Sequence, residues 1–271
     1  MTSLDNQAPL IDRGPETPAA VTDDAFLGDR LYILQPSSGY RARIDAVLLA
    51  ASMTNGPAEP TILDCGSGVG TVGLCVAVRC PDARVTLVER EPVLIDLARR
   101  NIDRNGLQAR VSVVPGDVTS PAQKPEAPRL PAESFDHVLA NPPYHDDSGG
   151  TPARDPLKRA SHAMPAPDLD SWVRFAARMN RPGGRVSLIH KADALPALLV
   201  ALQDRYGAIA VTPIHPYADK PAGRVLVSGI KASRAPVELR PPVVLHELGG
   251  GFTPYVGRIL REGAPLTSSR T

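Results

Sequence analysis

The sequence predicts an α/β fold: a doubly wound, mostly parallel seven-stranded sheet that closes with a C-terminal antiparallel hairpin. Three observations predict it. Short apolar runs (TILDC, RVTLVER, RVSVVPGD, FDHVLA, RVSLIH) alternate with helical runs, which demands crossover helices on both faces of a parallel sheet. A glycine loop, Asp64-Cys65-Gly66-Ser67-Gly68-Val69-Gly70, sits between the first of these strands and its helix. The last two strands, AIAVTPIHP and GRVLVSGIKAS, are joined by a Pro/Gly segment too short for a crossover, so they pair as a hairpin. Such a sheet is Rossmann-like.

Each element has its own signal. Residues up to about Asp24 are rich in Pro, Asp and Thr without an apolar period, and read as a flexible leader, residues 1–25. LGDRLYILQP suggests a strand or hairpin, and IDAVLLAASM a helix with Ile44, Val47, Leu48 and Ala51 on its apolar side. TVGLCVAVRC is a helix ended by Pro81, and PVLIDLARRNIDRNG one stopped by Asn105-Gly106. DLDSWVRFAARMN is a helix with Asp168 as its capping candidate, and LPALLVALQDRYG is another. The catalytic domain is expected over residues 26–235, with a C-terminal extension over 236–271.

Composition narrows the class. Hydrophobic residues make up 42% and charged residues 22%, as in ordinary soluble globular proteins. No apolar stretch is long enough to span a bilayer, and the N-terminus lacks the basic and apolar regions of a signal peptide, so a cytoplasmic location is expected with no membrane partner. A net charge of +1 favours neither presence nor absence of nucleic acid; any basic surface must be local. Cys65, Cys75 and Cys80 cannot all pair and lack zinc-site spacing, so they read as buried inert thiols.

The glycine loop is ambiguous alone, because any tight strand–helix turn can carry it. Its surroundings sharpen it. Glu89 ends the second parallel strand about twenty residues on, where a carboxylate can take ribose hydroxyls. Asp117 follows the third, placed for the exocyclic amine of an adenine. A dinucleotide site wants G-x-G-x-x-G, whereas Gly66, Gly68 and Gly70 follow G-x-G-x-G with Asp64 before them. A carboxylate there repels a pyrophosphate but suits a ligand with an ammonium group, such as the methionine part of S-adenosylmethionine.

The fourth strand runs into Asn141-Pro142-Pro143-Tyr144, at the end of the sheet where open α/β proteins bind ligands. Both prolines have fixed φ and no N–H, giving a rigid loop with outward carbonyls. An adenine N6 or an amide nitrogen is a poor nucleophile because its lone pair is delocalised. The Asn141 side-chain oxygen and the Pro142 carbonyl can accept its N–H bonds, localising the lone pair and aiming it at a methyl donor. Tyr144 offers a face for a planar substrate to stack on. His145-Asp146-Asp147 is not read as a metal site, since three adjacent side chains cannot converge on one ion.

These segments resemble the class I amino-methyltransferases with a (D/N)PP(Y/F) motif. More closely, GYRARIDAVLLAAS, LDCGSGVGTVGL, VEREPVLIDLARRNIDRNG, LANPPY, KPAGRVLVSGIKAS, PPVVLHE and FTPYV resemble the bacterial tRNA adenine-N6 methyltransferases that modify the purine beside the anticodon of a valine tRNA, over roughly residues 26–262. The resemblance implies S-adenosylmethionine held by Asp64, Gly66, Gly68, Gly70, Glu89, Asp117 and Asn141, with Asn141 to Tyr144 at the target nitrogen. It implies that the segment before Asp45 folds over the cofactor. Cys65 and the proline-rich spacer Thr119–Glu133 depart from the family pattern, and the spacer is expected to alter substrate access. Alternatives are a glutamine-N5 methyltransferase of release factors, against which the short polar leader counts, a ribosomal-RNA guanine-N2 methyltransferase, and a non-catalytic scaffold. If the partner is tRNA, the basic segment with Arg154, Lys158 and Arg159 is the first candidate to hold its phosphates and Arg41 and Arg43 the next; the other reading is a solvated loop.

Overall fold

The computed structural model describes residues 20–38, 41–53, 57–122, 124–143 and 167–266. A hairpin opens the chain: β1 (Val21–Phe26) pairs antiparallel with β2 (Leu31–Pro36) as a separate two-stranded sheet. Residues 21–25, expected in the leader, therefore belong to a strand. Two adjacent aspartates lower the strand propensity of VTDDAF, yet both are used: Arg104 pairs with Asp23 (2.8 Å) and Arg41 with Asp24 (2.7 Å).

The helix α1 (Ile44–Ala51) leads to the main sheet, built from β3 (Thr61–Cys65), β4 (Arg84–Glu89), β5 (Val111–Pro115), β6 (Phe135–Ala140), β7 (Asn180–Lys191), β8 (Tyr206–His215) and β9 (Arg224–Lys231). Between them run α2 (Thr71–Arg79), α3 (Pro92–Arg104), α4 (Pro167–Met179) and α5 (Leu195–Gln203). The helix α4 begins at Pro167, which sets Asp168 inside its first turn rather than at its cap. Strand order is β8-β9-β7-β6-β3-β4-β5, all parallel except β9, which is antiparallel to both neighbours. The closing hairpin thus does not merely extend the sheet; β9 folds back between β7 and β8.

Two short strands, β10 (Glu238–Leu239) and β11 (Val243–Val244), add to β8, making nine strands where seven were expected. The C-terminal segment ends in α6 (Pro254–Glu262), capped by Thr253 and terminated by Gly263 in the left-handed region. Val256 and Ile259 of α6 are fully buried in the same core as α1 and α2. Arg79 fastens this segment by donating to the carbonyls of Gly263 (2.8 Å) and Ala50.

The opening hairpin is docked by α3. Asn101 takes the Leu34 N–H (2.7 Å) and donates to the Leu34 carbonyl (3.0 Å), while Asn105, one turn later, brackets Tyr32 in the same way (3.0 and 2.8 Å). Two amides at i and i+4 satisfy four backbone groups of a strand edge that would otherwise lack partners. Asn101 also donates to the Val69 carbonyl (3.1 Å), tying the hairpin to the glycine loop.

Candidate active site

Register aligns the site. Cys65 pairs with Ala140 on one side and Val88 on the other; Val88 pairs with Val114, and Ala140 with Leu188. One residue beyond this row, four strands release Asn141, Gly66, Glu89 and Pro115 side by side. At about 4.8 Å per strand, Asn141 and Glu89 leave the sheet roughly 10 Å apart with the glycine loop between them.

The loop has three kinds of glycine. Gly66 (φ +61°) lies against Trp172 of α4, and a β-carbon there would run into the indole ring. Gly68 (φ +57°) differs: nothing lies within 4 Å of where its β-carbon would point, so the loop presents bare backbone to open space. Gly70 turns the chain into α2. The hydroxyls of Ser67 and Thr71, either side of this turn, are buried and have no hydrogen-bond partner among the described residues. An open glycine cradle at a helix N-terminus with two orphaned hydroxyls fits the polar end of a bound ligand.

Carboxylates surround the cradle. Glu89 is buried and accepts from Gly68 N–H (2.8 Å) through one oxygen, and from the N–H groups of Arg90 and Glu91 (2.8 and 2.9 Å) through the other. Burial raises its pKa against these lowering hydrogen bonds. Asp64 is 1% exposed, beneath the loop, and accepts from the Gly73 N–H (2.9 Å) in the first turns of α2. Its carboxyl is pushed up to about 7, first by burial and further by the charge of Glu89, although the Gly73 bond opposes the shift.

Asp117 holds the Thr119 backbone and hydroxyl (2.8 and 2.7 Å) and pairs with Arg90 (3.4 Å). The proline-rich spacer folds back here: Asp117 N–H donates to the Glu126 carbonyl (2.7 Å), and Pro128 lies against Gly116. The thiols take no part. Cys65 and Cys75 are buried, and burial pushes Cys75 up to about 12.

Asn141 and Pro143 are half-buried and Pro142 buried at the strand end. Tyr144, His145-Asp146-Asp147, Arg154, Lys158 and Arg159 lie outside the described residues. Arg41 is spent on Asp24, whereas Arg43 is exposed just before α1. Among the described residues no group of three His, Cys, Asp or Glu can hold a metal ion, and no helix is long and apolar enough to cross a membrane. Sequence reasoning missed Trp172, which closes one side of the loop, and Asn101, which ties the hairpin to it. Their contacts are with residues distant in sequence.

The family model of the methyltransferase small domain matches residues 41–162, spanning the glycine loop, both flanking acids and Asn-Pro-Pro-Tyr. A solved structure from Agrobacterium tumefaciens, described as a predicted O-methyltransferase, is 34% identical, with a TM-score of 0.69 over 84% of this chain and all of that one. The chain belongs to the class I methyltransferases of this family. The enzyme's methyl donor is S-adenosylmethionine, and the open cradle at Gly68 beside Glu89 is consistent with it. It is also similar to a tRNA1(Val) (adenine(37)-N6)-methyltransferase of Porphyromonas gingivalis, 28% identical over 87% of this chain and 93% of that one. A release factor glutamine methyltransferase of Gloeobacter violaceus is 32% identical over 65% of this chain and 61% of that one.

Proposed function

We propose that the enzyme methylates the exocyclic N6 of an adenine in tRNA, the adenine at position 37 of a valine tRNA. The observation that carries this reading is the extent of the likeness. The tRNA-modifying relative aligns over 87% of this chain and 93% of its own, whereas the glutamine methyltransferase aligns over 65% and 61%.

The residues divide the work. Bound S-adenosylmethionine supplies an electrophilic methyl group. Gly68 and the hydroxyls of Ser67 and Thr71 receive its polar end, Glu89 the ribose and Asp117 the adenine. Asp64, under the loop, contributes mainly a negative field in a low-dielectric setting, so a cation above it is favoured without direct contact. Asn141, through its side-chain oxygen, and Pro142, through its carbonyl, accept the two N–H bonds of the target amine and fix its lone pair toward the methyl group. Tyr144 stacks on the base, and Arg43 with Arg154, Lys158 and Arg159 neutralises phosphates. The same acceptors would serve a glutamine amide, so the substrates must be compared directly. Purified enzyme and labelled cofactor are incubated with valine tRNA transcript and, separately, with a release factor. N6-methyladenosine in the digested tRNA is the expected product; methylglutamine alone would reverse the assignment.

A further inference from the structure

We propose that Tyr217, His246 and Phe252 form a stacking platform for single-stranded nucleotides flanking the methylated base, beside a cleft lined by Arg43 and Arg261. This rests on the reading of the substrate as RNA.

The three rings stand in series. Tyr217 and His246 have centroids 5.4 Å apart at 38°, and His246 and Phe252 stack at 4.9 Å and 23°. Backbone bonds hold the order: His246 N–H donates to the Pro216 carbonyl (3.0 Å), and His246 bridges antiparallel to Phe252 across a turn closed by Glu247 N–H on Gly251 (3.2 Å). Core packing does not account for the arrangement, because Phe252 is 43% exposed. An exposed aromatic ring fixed by its own hairpin costs little entropy on binding and leaves its free surface to a flat ligand.

The platform lies on the catalytic edge of the sheet. Lys191, three residues past the Leu188–Ala140 pair, is opposite Arg224; Arg224 is opposite Ile214. The β8–β9 loop with Tyr217, and His246 just after β11, therefore emerge on the side from which Asn141 leaves β6. Three strand spacings separate β6 from β8, about 14 Å, within the span of a few nucleotides. An ion pair between Arg224 and Asp45 (3.2 Å) brings the start of α1 to this edge as well.

Beside Phe252 the β1–β2 turn, α1 and α6 enclose a cleft of about 350 Å³. Its apolar wall comes from Ile44, Val47 and Leu260, its cations are Arg43 and Arg261, and Asp29 is the acid at its rim. Aromatic faces flanked by guanidinium groups match a base and its phosphate. Lys220, exposed on the Tyr217 loop, adds a third cation, with Asp219 beside it.

The test uses full-length enzyme, a valine tRNA transcript and four variants, with calorimetry of S-adenosylhomocysteine and the melting temperature as fold controls. Phe252→Ala should raise KM and Kd for tRNA by roughly 5- to 150-fold, as for one stacked base, with kcat within about twofold. Phe252→Trp should retain binding and Phe252→Leu, equally apolar but unable to stack, should not. Arg261→Gln should weaken binding and flatten the log–log salt slope by roughly 0.7 to 0.9. Wild-type KM in both Phe252→Ala and Phe252→Leu, with tRNA still methylated, would overturn the platform alone. A wild-type enzyme that ignores tRNA and modifies a release factor would overturn the RNA reading and the platform with it.

Discussion

Replacing Asp64 by Asn should make the ligand-free enzyme more stable at pH 8 and a worse binder of its cofactor. The asparagine keeps an oxygen for the Gly73 N–H, removes the titrating charge and puts an NH2 where the second oxygen stood. In the folded chain this carboxyl titrates near 7 against 3.8 in the unfolded chain, because burial and Glu89 disfavour its ionised form. Between these values the folded state holds a proton the unfolded state has lost. The resulting contribution to stability is full below about pH 4 and is lost as pH rises through 7. At 1.36 kcal/mol per unit, the loss is about 4 kcal/mol. A bound ammonium favours the ionised carboxylate and pulls the pKa down, so affinity should rise with pH until Asp64 is ionised in the free enzyme. Calorimetry with S-adenosylhomocysteine, whose amine stays protonated over the range, should show about tenfold weaker binding at pH 6 than at pH 8. Asp64→Asn should flatten this dependence, leaving what belongs to Glu89, and should raise the melting temperature at pH 8. A wild-type affinity constant from pH 6 to 8, with no stabilisation in the variant, would refute both the raised pKa and the charge role.

Other substitutions test the remaining parts. Asn141→Ala should lower kcat by about two to three orders of magnitude in the methylation assay, as for a bond made mainly in the transition state, with calorimetric cofactor affinity nearly unchanged. Gly68→Val should abolish cofactor binding, since its side chain enters the open cradle at a strained positive φ, yet the protein should still melt cooperatively. Ile259→Ala should cost about 2–5 kcal/mol in urea unfolding if α6 belongs to the core rather than to a dispensable tail. Replacing Lys158 and Arg159 together by Ala should weaken tRNA binding and flatten its salt dependence, with cofactor affinity preserved.

The sheet and the glycine loop were legible because their chemistry forces residue types at fixed places. Parallel strands need apolar runs, and a tight strand–helix turn needs glycine. Register was not legible: nothing local to TILDC or FDHVLA says that Cys65 and Ala140 stand level. The insertion of β9 between β7 and β8 is likewise a choice among pairings that one hairpin signal permits. In the C-terminal segment the marks were present, since Thr253, Pro254 and Gly263 bracket α6 as cap, first turn and stop. Nine residues carry too short a period to reveal by themselves that Val256 and Ile259 reach the core. The strand β1 was hidden by its aspartates, whose partners Arg41 and Arg104 come from elsewhere in the chain.

The spacer between β5 and β6 bears on how the crevice is divided. It folds against Gly116 and Asp117, beside β4 and β5, which end at Glu89 and Pro115. Asn141 leaves on the opposite side of the glycine loop, toward β7 and the hairpin that follows. Trp172 against Gly66 stands between these halves. On the proposed reading, with Asp117 at the adenine and Asn141 at the nucleophile, the spacer would shape the adenine end of the cofactor site and the nucleophile would approach past β6 to β8. If Glu89 and Asp117 hold the methyl donor and Asn141 the acceptor, as proposed, substrate preference can change through the β8–β9 loop and the C-terminal hairpin without disturbing those carboxylates.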